Sequence, residues 1–327
     1  MRSMTRACAA GLAISIVALA GCSDSGADAE SADGLTPVRV SVGAIAGSST
    51  PMYMAVDNGT FEDLGLDVTI ETATSGSLAV PTILADQFQF AMTGFDSYIS
   101  AQSEGLPVTM VSAVNRLRSA DSGYDGLIVP TSSTATDLGD VSILATPDSA
   151  RTALMDLRVT GMGGDYEAMQ LLQVPLGSIG DTVASGAADA GYLFQPFLGQ
   201  ALEGGDVKLL ESGSAEDLTV AGAPSAVLIA SEEYLGDHED TAERFAQGVL
   251  EAYAYAAAHP DEVSEASVGT GLVDEPVPAD NLPDYAAEAM PVAVVQRLLD
   301  VYSELGYLPE ETTANDIVWL PGGNFAE

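Results

Sequence analysis

Val38-Arg-Val-Ser-Val42, Leu66-Asp-Val-Thr-Ile70, Phe88-Gln-Phe-Ala-Met92 and Val108-Thr-Met-Val-Ser-Ala-Val114 punctuate the stretch from residue 38 to 114. Each is a short run rich in β-branched or aromatic residues. Segments of helical period separate them: Pro51 to Phe61, Leu78 to Leu84 and Ser97 to Ser103. Such runs joined by short connections predict strand–helix–strand units, and these call for a mostly parallel sheet covered by helices on both faces.

Working outward, a second unit of the same kind follows. Gly126 to Val129, Val141 to Ala145, Ala190 to Phe194 and Val207 to Leu210 read as strands, with helices at Ser149 to Arg158 and Ile179 to Ala187. Ala226 to Ala230 then reads as a returning strand. Long helices follow at Thr241 to Ala258, closed by His259-Pro260, and at Val292 to Leu305, closed by Gly306. The expected architecture is α/β with two lobes: residues 37–116 with 224–327 form the first, and 117–223, inserted within it, form the second. Two crossover strands near 115–124 and 220–226 make a hinge, and the interlobe cleft is where a small ligand belongs.

The other end of the chain says where the protein works. Arg2 and Arg6 precede an apolar run from Ala9 to Ala20, too short to span a bilayer, and Leu19-Ala20-Gly21-Cys22 closes it. That ending resembles the lipobox of bacterial lipoproteins. Residues 1–21 are therefore expected to be a signal peptide, with Cys22 lipidated and residues 22–36, small and acidic, a flexible tether. The protein is expected outside the cytoplasm, anchored by lipid to the outer face of the cell membrane or periplasmic. Cys8 leaves with the leader, so no thiol remains for a disulfide, a nucleophile or a cysteine metal site.

The formal charge is −38, with 48 acidic residues against 10 basic ones, and loss of Arg2 and Arg6 makes the balance more negative still. Such a field repels nucleic acid and anionic lipid. It fits a well-hydrated surface in a saline or alkaline exterior, or attraction of cationic ligands. Enzyme chemistry finds no foothold. His238 and His259 are isolated, no phosphate-binding glycine loop is present, and Gly161-Met-Gly-Gly164 follows no strand. No cofactor and no metal are expected, and the chain reads as monomeric.

A series of motifs carries a family resemblance. Ala55-Val-Asp-Asn-Gly59-Thr-Phe61, Leu64-Gly-Leu-Asp-Val68, Ser75-Gly-Ser77, Ala85-Asp-Gln-Phe-Gln-Phe90 and Glu104-Gly-Leu-Pro-Val108 occur in order. Asp137-Leu-Gly139 and Ala187-Ala-Asp-Ala-Gly-Tyr-Leu-Phe-Gln-Pro-Phe197 follow in the second unit. The series resembles the nitrate, sulfonate and taurine binding proteins of ABC importers and the related binders of thiamine-pyrimidine precursors. The resemblance implies a two-lobed periplasmic-binding-protein fold, type II-like. It also implies a small-molecule ligand (an anion, a zwitterion such as taurine, or a pyrimidine-like compound) and delivery to an ABC permease with its ATPase. A receptor feeding a membrane sensor is the alternative. An enzyme branch of the same fold makes a pyrimidine precursor with a cysteine-rich motif that this chain lacks. Gln195 stands where the family commonly has glutamate, and Ala85-Asp86-Gln87 replaces its small-Gly turn.

In open α/β sheets the ligand sits beyond the carboxyl ends of the strands, where helix starts offer free N–H groups. The candidate loops hold Ser48 and Ser49; Ser75, Gly76 and Ser77; Gly94, Phe95 and Asp96; and Asp148 and Ser149. Each hydroxyl or carboxylate among them serves equally as a helix N-cap. Asn115 and Arg116 at the first crossover, Arg151 and Gln195 complete the set, the arginines because a guanidinium grips a sulfonate or carboxylate in two places. Tyr53, Phe95, Tyr192 and Phe194 supply either a stacking wall or core.

Overall fold

The computed structural model describes residues 34–73, 78–118, 123–147, 152–212, 220–320 and 322–326. The signal peptide, Cys22 and nearly all of the tether lie outside them, as do Ser75, Gly76, Ser77, Asp148, Ser149 and Arg151. The chain opens with β1 (Thr36–Gly43), α1 (Ala46–Asp57), α2 (Thr60–Asp63), β2 (Leu66–Ala73), α3 (Ala79–Leu84), β3 (Phe90–Gly94), α4 (Phe95–Ser103) and β4 (Val108–Arg116). After a crossover come β5 (Asp125–Pro130), β6 (Ile143–Thr146), α5 (Ala153–Gly161), β7 (Gln170–Gln173), α6 (Leu176–Ala184), β8 (Ala190–Phe194), α7 (Phe197–Glu203) and β9 (Val207–Ser212). The chain then returns through β10 (Pro224–Ser231), α8 (Glu232–Asp237), α9 (Glu239–Ala258), α10 (Pro260–Ala266), β11 (Asp284–Tyr285), β12 (Met290–Pro291), α11 (Val292–Glu304), α12 (Ala314–Ile317) and β13 (Phe325–Ala326).

Two sheets result, and they share one plan. The first runs β11-β4-β10-β3-β1-β2 and the second β9-β5-β8-β6-β7. In each, a βαβαβαβ series supplies strands of one direction, and the strand that has just crossed from the other unit slots in antiparallel between the third and fourth of them. Both sheets are therefore mixed. The expectation of a mostly parallel sheet is right for the four repeating strands of each unit and wrong for β5, β10 and β11. The reason is topological: a strand arriving from the far unit enters from the cleft end and runs the opposite way.

Helices cover both faces of each sheet, as the doubly apolar strands require. One face of the first sheet packs Phe95, Tyr98, Leu298 and Tyr302, and the other packs Val40, Phe90, Phe245 and Val249. Two smaller clusters, one around Leu144 and Val159 and one around Ile179 and Leu193, serve the second sheet. The two crossovers bond to each other: Leu117 N–H donates to Ala223 O at 2.7 Å and Gly222 N–H to Leu117 O at 3.0 Å. Ala153 of α5 is fully buried in the first sheet's core, so the inserted unit packs against the first beside the crossovers.

Three local expectations change. Strand β7 is not visible in Gln-Leu-Leu-Gln, two apolar residues between amides, and it forms because β6 offers a parallel edge. Thr36, assigned to the tether, already pairs with Leu66 in β1. The first helix starts at Ala46, so Ser48, Ser49 and Thr50 are helical and not a loop, although Pro51 suggests a helix start. Proline lacks the N–H that would reach Gly47 O. Tyr285 supplies the missing donor, its hydroxyl lying 2.6 Å from that carbonyl.

Candidate functional site

The carboxyl ends of β1, β3 and β4 and the start of α1 face the crossover and the end of β8. On the first sheet's side, buried hydroxyls and amides hold the start of α1. Ser49 Oγ donates to Gly43 O at 2.6 Å, Tyr253 Oη to Ser48 O at 2.8 Å, and Asn115 Nδ2 to Ser48 Oγ at 2.7 Å. Tyr124, just ahead of β5, reaches across and is hydrogen-bonded to the Ser48 hydroxyl. Burial pushes the Tyr124 phenol up to about 12, with that hydrogen bond pulling against the rise. Burial likewise holds Tyr253 and Tyr285 well above the ordinary phenol range.

The second sheet's side is built on charge. Arg158 of α5 and Asp125 at the head of β5, both almost fully buried, pair at 3.2 Å. Tyr192 of β8 donates to the same Asp125 oxygen at 2.6 Å, and the Arg158 guanidinium lies 5.1 Å from the Tyr192 ring centre. A hydrogen bond to a shared carboxylate and a cation–π contact thus fix the ring of Tyr192. Phe194 packs against Tyr192 edge-on and lies near-parallel to Tyr124, with centroids 6.4 Å apart and planes at 14°.

An open groove of about 640 Å³ lies where the crossovers meet the segment before β11, lined by Leu117, Arg118, Ala221, Gly222, Ala279, Asp280 and Asp284. The Arg118 guanidinium sits 6.0 Å from the Tyr124 ring centre, so the groove adjoins the aromatic group. Its charged lining is one guanidinium against two carboxylates, both exposed.

The predicted site residues divide. Ser48 and Asn115 meet at the cleft, and Gly94 ends β3 exposed there, with open space where a side chain would be. Arg116 pairs across the sheet with Pro224 and Asp284, at the groove's edge. Ser49 is spent on Gly43 O. Tyr53 is turned to β2, its hydroxyl 2.7 Å from Thr72 Oγ1. Phe95 is 1% exposed and belongs to the core, and Asp96 accepts a hydrogen bond from Tyr302. These two face inward because α4 begins at Phe95, whose ring packs edge-on against Tyr98 and Tyr302.

Gln195 holds neighbouring backbone in place. Its Nε2 donates to Gly123 O at 3.1 Å, and its Oε1 accepts from Gly199 N–H at 3.1 Å. A glutamate could accept the second bond but not make the first.

Sequence reasoning missed Tyr124, Asp125, Arg158, Arg118, Asp280, Asp284 and Tyr285. A carboxylate heading the apolar run Gly126-Leu-Ile-Val129 was a signal for Asp125, since such a position is buried. The segment 276–285, proline-rich and without period, gave none.

A profile of the family described as NMT1/THI5 like matches residues 47–263. The formylaminopyrimidine-binding protein of Halalkalibacterium halodurans is 26% identical over 216 residues, an alignment spanning 65% of this chain and 64% of that protein. Among solved structures, a Candida albicans gene product described as having the generic periplasmic binding protein fold superposes with a TM-score of 0.71 at 14% identity, over 90% of this chain and 98% of its own. The aliphatic sulphonate binding protein of Escherichia coli gives 0.66 at 14% identity over 86% and 97%. The nitrate-binding protein of Synechocystis PCC 6803 gives 0.68 at 13% identity over 86% and 85%. The chain therefore has the periplasmic-binding-protein fold.

Proposed function

The chain belongs to the NMT1/THI5-like family, and from that premise we propose that it is the solute-binding component of an ABC importer. In this reading it is a non-enzymatic protein, exported and held to the membrane by lipid on Cys22. It captures a small planar nitrogen heterocycle of the aminopyrimidine kind between residues 37–116 with 224–327 on one side and 117–223 on the other. Closure about the paired crossovers delivers the ligand to a permease with its ATPase. No helix among the described residues is long and apolar enough to cross a membrane.

The observation that carries the choice of ligand is the chemistry of the groove. Two carboxylates, Asp280 and Asp284, face Arg118 across the groove with Arg116 at its edge, and the neighbouring surface is aromatic: Tyr124, Phe194 and Tyr192. A flat ring stacks on such a surface, and amino groups or a protonated ring nitrogen suit the carboxylates. A sulfonate or nitrate gains no net attraction there, since the two carboxylates match Arg116 and Arg118, and it approaches a chain at −38. The name of the Halalkalibacterium relative points the same way.

A thermal-shift screen of the purified protein tests the reading, since a ligand that binds only the folded state raises the melting temperature by mass action. Aminopyrimidines are expected to raise it, with taurine, alkanesulfonates and nitrate inert. A rise with an anion and none with any pyrimidine would overturn it.

A further inference from the structure

We infer that Asn115 sets the ligand specificity of this cleft by presenting its side-chain carbonyl to an N–H donor on the ligand, an inference that rests on the solute-binding reading above. Asn115 lies near the end of β4 beside the start of α1 and is 4% exposed. Its Nδ2 donates to Ser48 Oγ at 2.7 Å, and Ser48 is in turn bonded to Tyr124, so the amide is pinned with its nitrogen turned to α1. Its Oδ1 is buried and has no hydrogen-bond partner among the described residues. A buried acceptor without a donor is costly, and few are kept.

The nearby hydroxyls do not serve it. Tyr285, directly opposite Asn115 in the sheet, gives its proton to Gly47 O, and Tyr253 gives its own to Ser48 O. The partner on the other side of the strand, Ala226, has no polar side-chain atom. Among the described residues no group completes Asn115, which leaves its Oδ1 open to a donor carried by the ligand.

A carbonyl oxygen only accepts, so it excludes nitrate and the sulfonate head and favours an amine, an amide N–H or a protonated ring nitrogen. Sites built around a buried polar group reject analogues that lack its partner far more strongly than apolar pockets reject a missing methylene. Ser48 acts as the positioning residue, since without it the amide is free to turn and offer its nitrogen.

The test compares two probes of nearly equal size by titration calorimetry: 4-amino-2-methylpyrimidine, and 2,4-dimethylpyrimidine, in which a methyl replaces the amino group. Wild-type protein is expected to prefer the amine by about two orders of magnitude or more. Asn115→Leu is expected to abolish that preference by weakening the amine alone, and Ser48→Ala to cut it by about tenfold. An Asn115→Leu protein with a cooperative melt and an undiminished preference would overturn the inference. Should that variant not fold, an unchanged preference in Ser48→Ala overturns it equally. Equal binding of both probes by wild type removes the role of Asn115 and leaves the heterocycle reading standing, whereas binding of neither removes both.

Discussion

The two walls of the cleft are held by opposite means. On the first sheet, neutral groups are tied to backbone: Tyr253, Tyr285 and Ser49 each satisfy a carbonyl in or just before the first turns of α1, and Asn115 holds Ser48. On the second, a buried guanidinium and carboxylate fix an aromatic ring. A network of neutral bonds is a sum of modest terms, and losing one member costs about 1 kcal/mol. An ion pair taken out of water is all or nothing, because either partner left alone is an uncompensated charge. The polar wall is thus built to tolerate change and the aromatic wall to forbid it.

The largest effect expected follows from that asymmetry. Asp125→Ala leaves Arg158 only its longer pairing with Glu211, at 3.8 Å, and releases Tyr192, and urea unfolding should show a loss of about 3 kcal/mol. The matching change on the other wall, Ser48→Ala, should cost about 1 kcal/mol. Similar losses in the two variants would break the comparison.

The second prediction concerns alkaline pH. Tyr124 titrates near 10 when unfolded and is raised to about 12 when folded, so the unfolded chain gives up its proton first. Its stabilising contribution is complete below pH 10 and is lost as pH climbs from 10 to 12, by roughly 3 kcal/mol at about 1.4 kcal/mol per unit. Over that window wild type should lose more stability than Tyr124→Phe in denaturant melts at stepped pH. Parallel curves would show that this phenol is not buried as described. Tyr253 and Tyr285 are raised for the same reason and act in the same direction.

Much of this fold was legible. The alternation from Val38 to Val114 revealed every strand of the first repeat, since buried parallel strands are apolar on both faces and cannot hide their period. The reversal of β5 and β10 was not, because direction depends on how the chain re-enters a sheet and leaves no mark in composition. The site was legible only in part. Ser48 and Asn115 lie where strand ends must converge. Phe95 and Asp96 occupy an equivalent position and yet turn inward, a choice made by Tyr302, far away in sequence. Arg118, Asp280 and Asp284 assemble one groove from two distant segments, neither with a local signature.

A smaller effect concerns Gln195. In Gln195→Glu the carboxylate faces Gly123 O in place of an N–H, and stability should fall by about 1–3 kcal/mol, with a smaller loss at acid pH where the carboxyl is protonated and donates again. A stability indifferent to pH would remove the hydrogen bond to Gly123 from the account.

The smallest expected effect tests how the units meet. Tyr307 donates across to Asp156 of α5 at 3.3 Å, beside the Ala153 contact. Tyr307→Phe should weaken ligand binding by a few fold without altering which probe is preferred, because it biases closure and touches no ligand. A changed preference would place Tyr307 at the ligand.

The central claim, that the aromatic and polar walls close on a flat nitrogen heterocycle, is tested most directly by the crystal structure of the protein grown with 4-amino-2-methylpyrimidine. The account predicts the ring against Tyr124, with its amino group within hydrogen-bond distance of Asn115 Oδ1. A ring seated elsewhere, or a cleft left empty at saturating concentration, would contradict it.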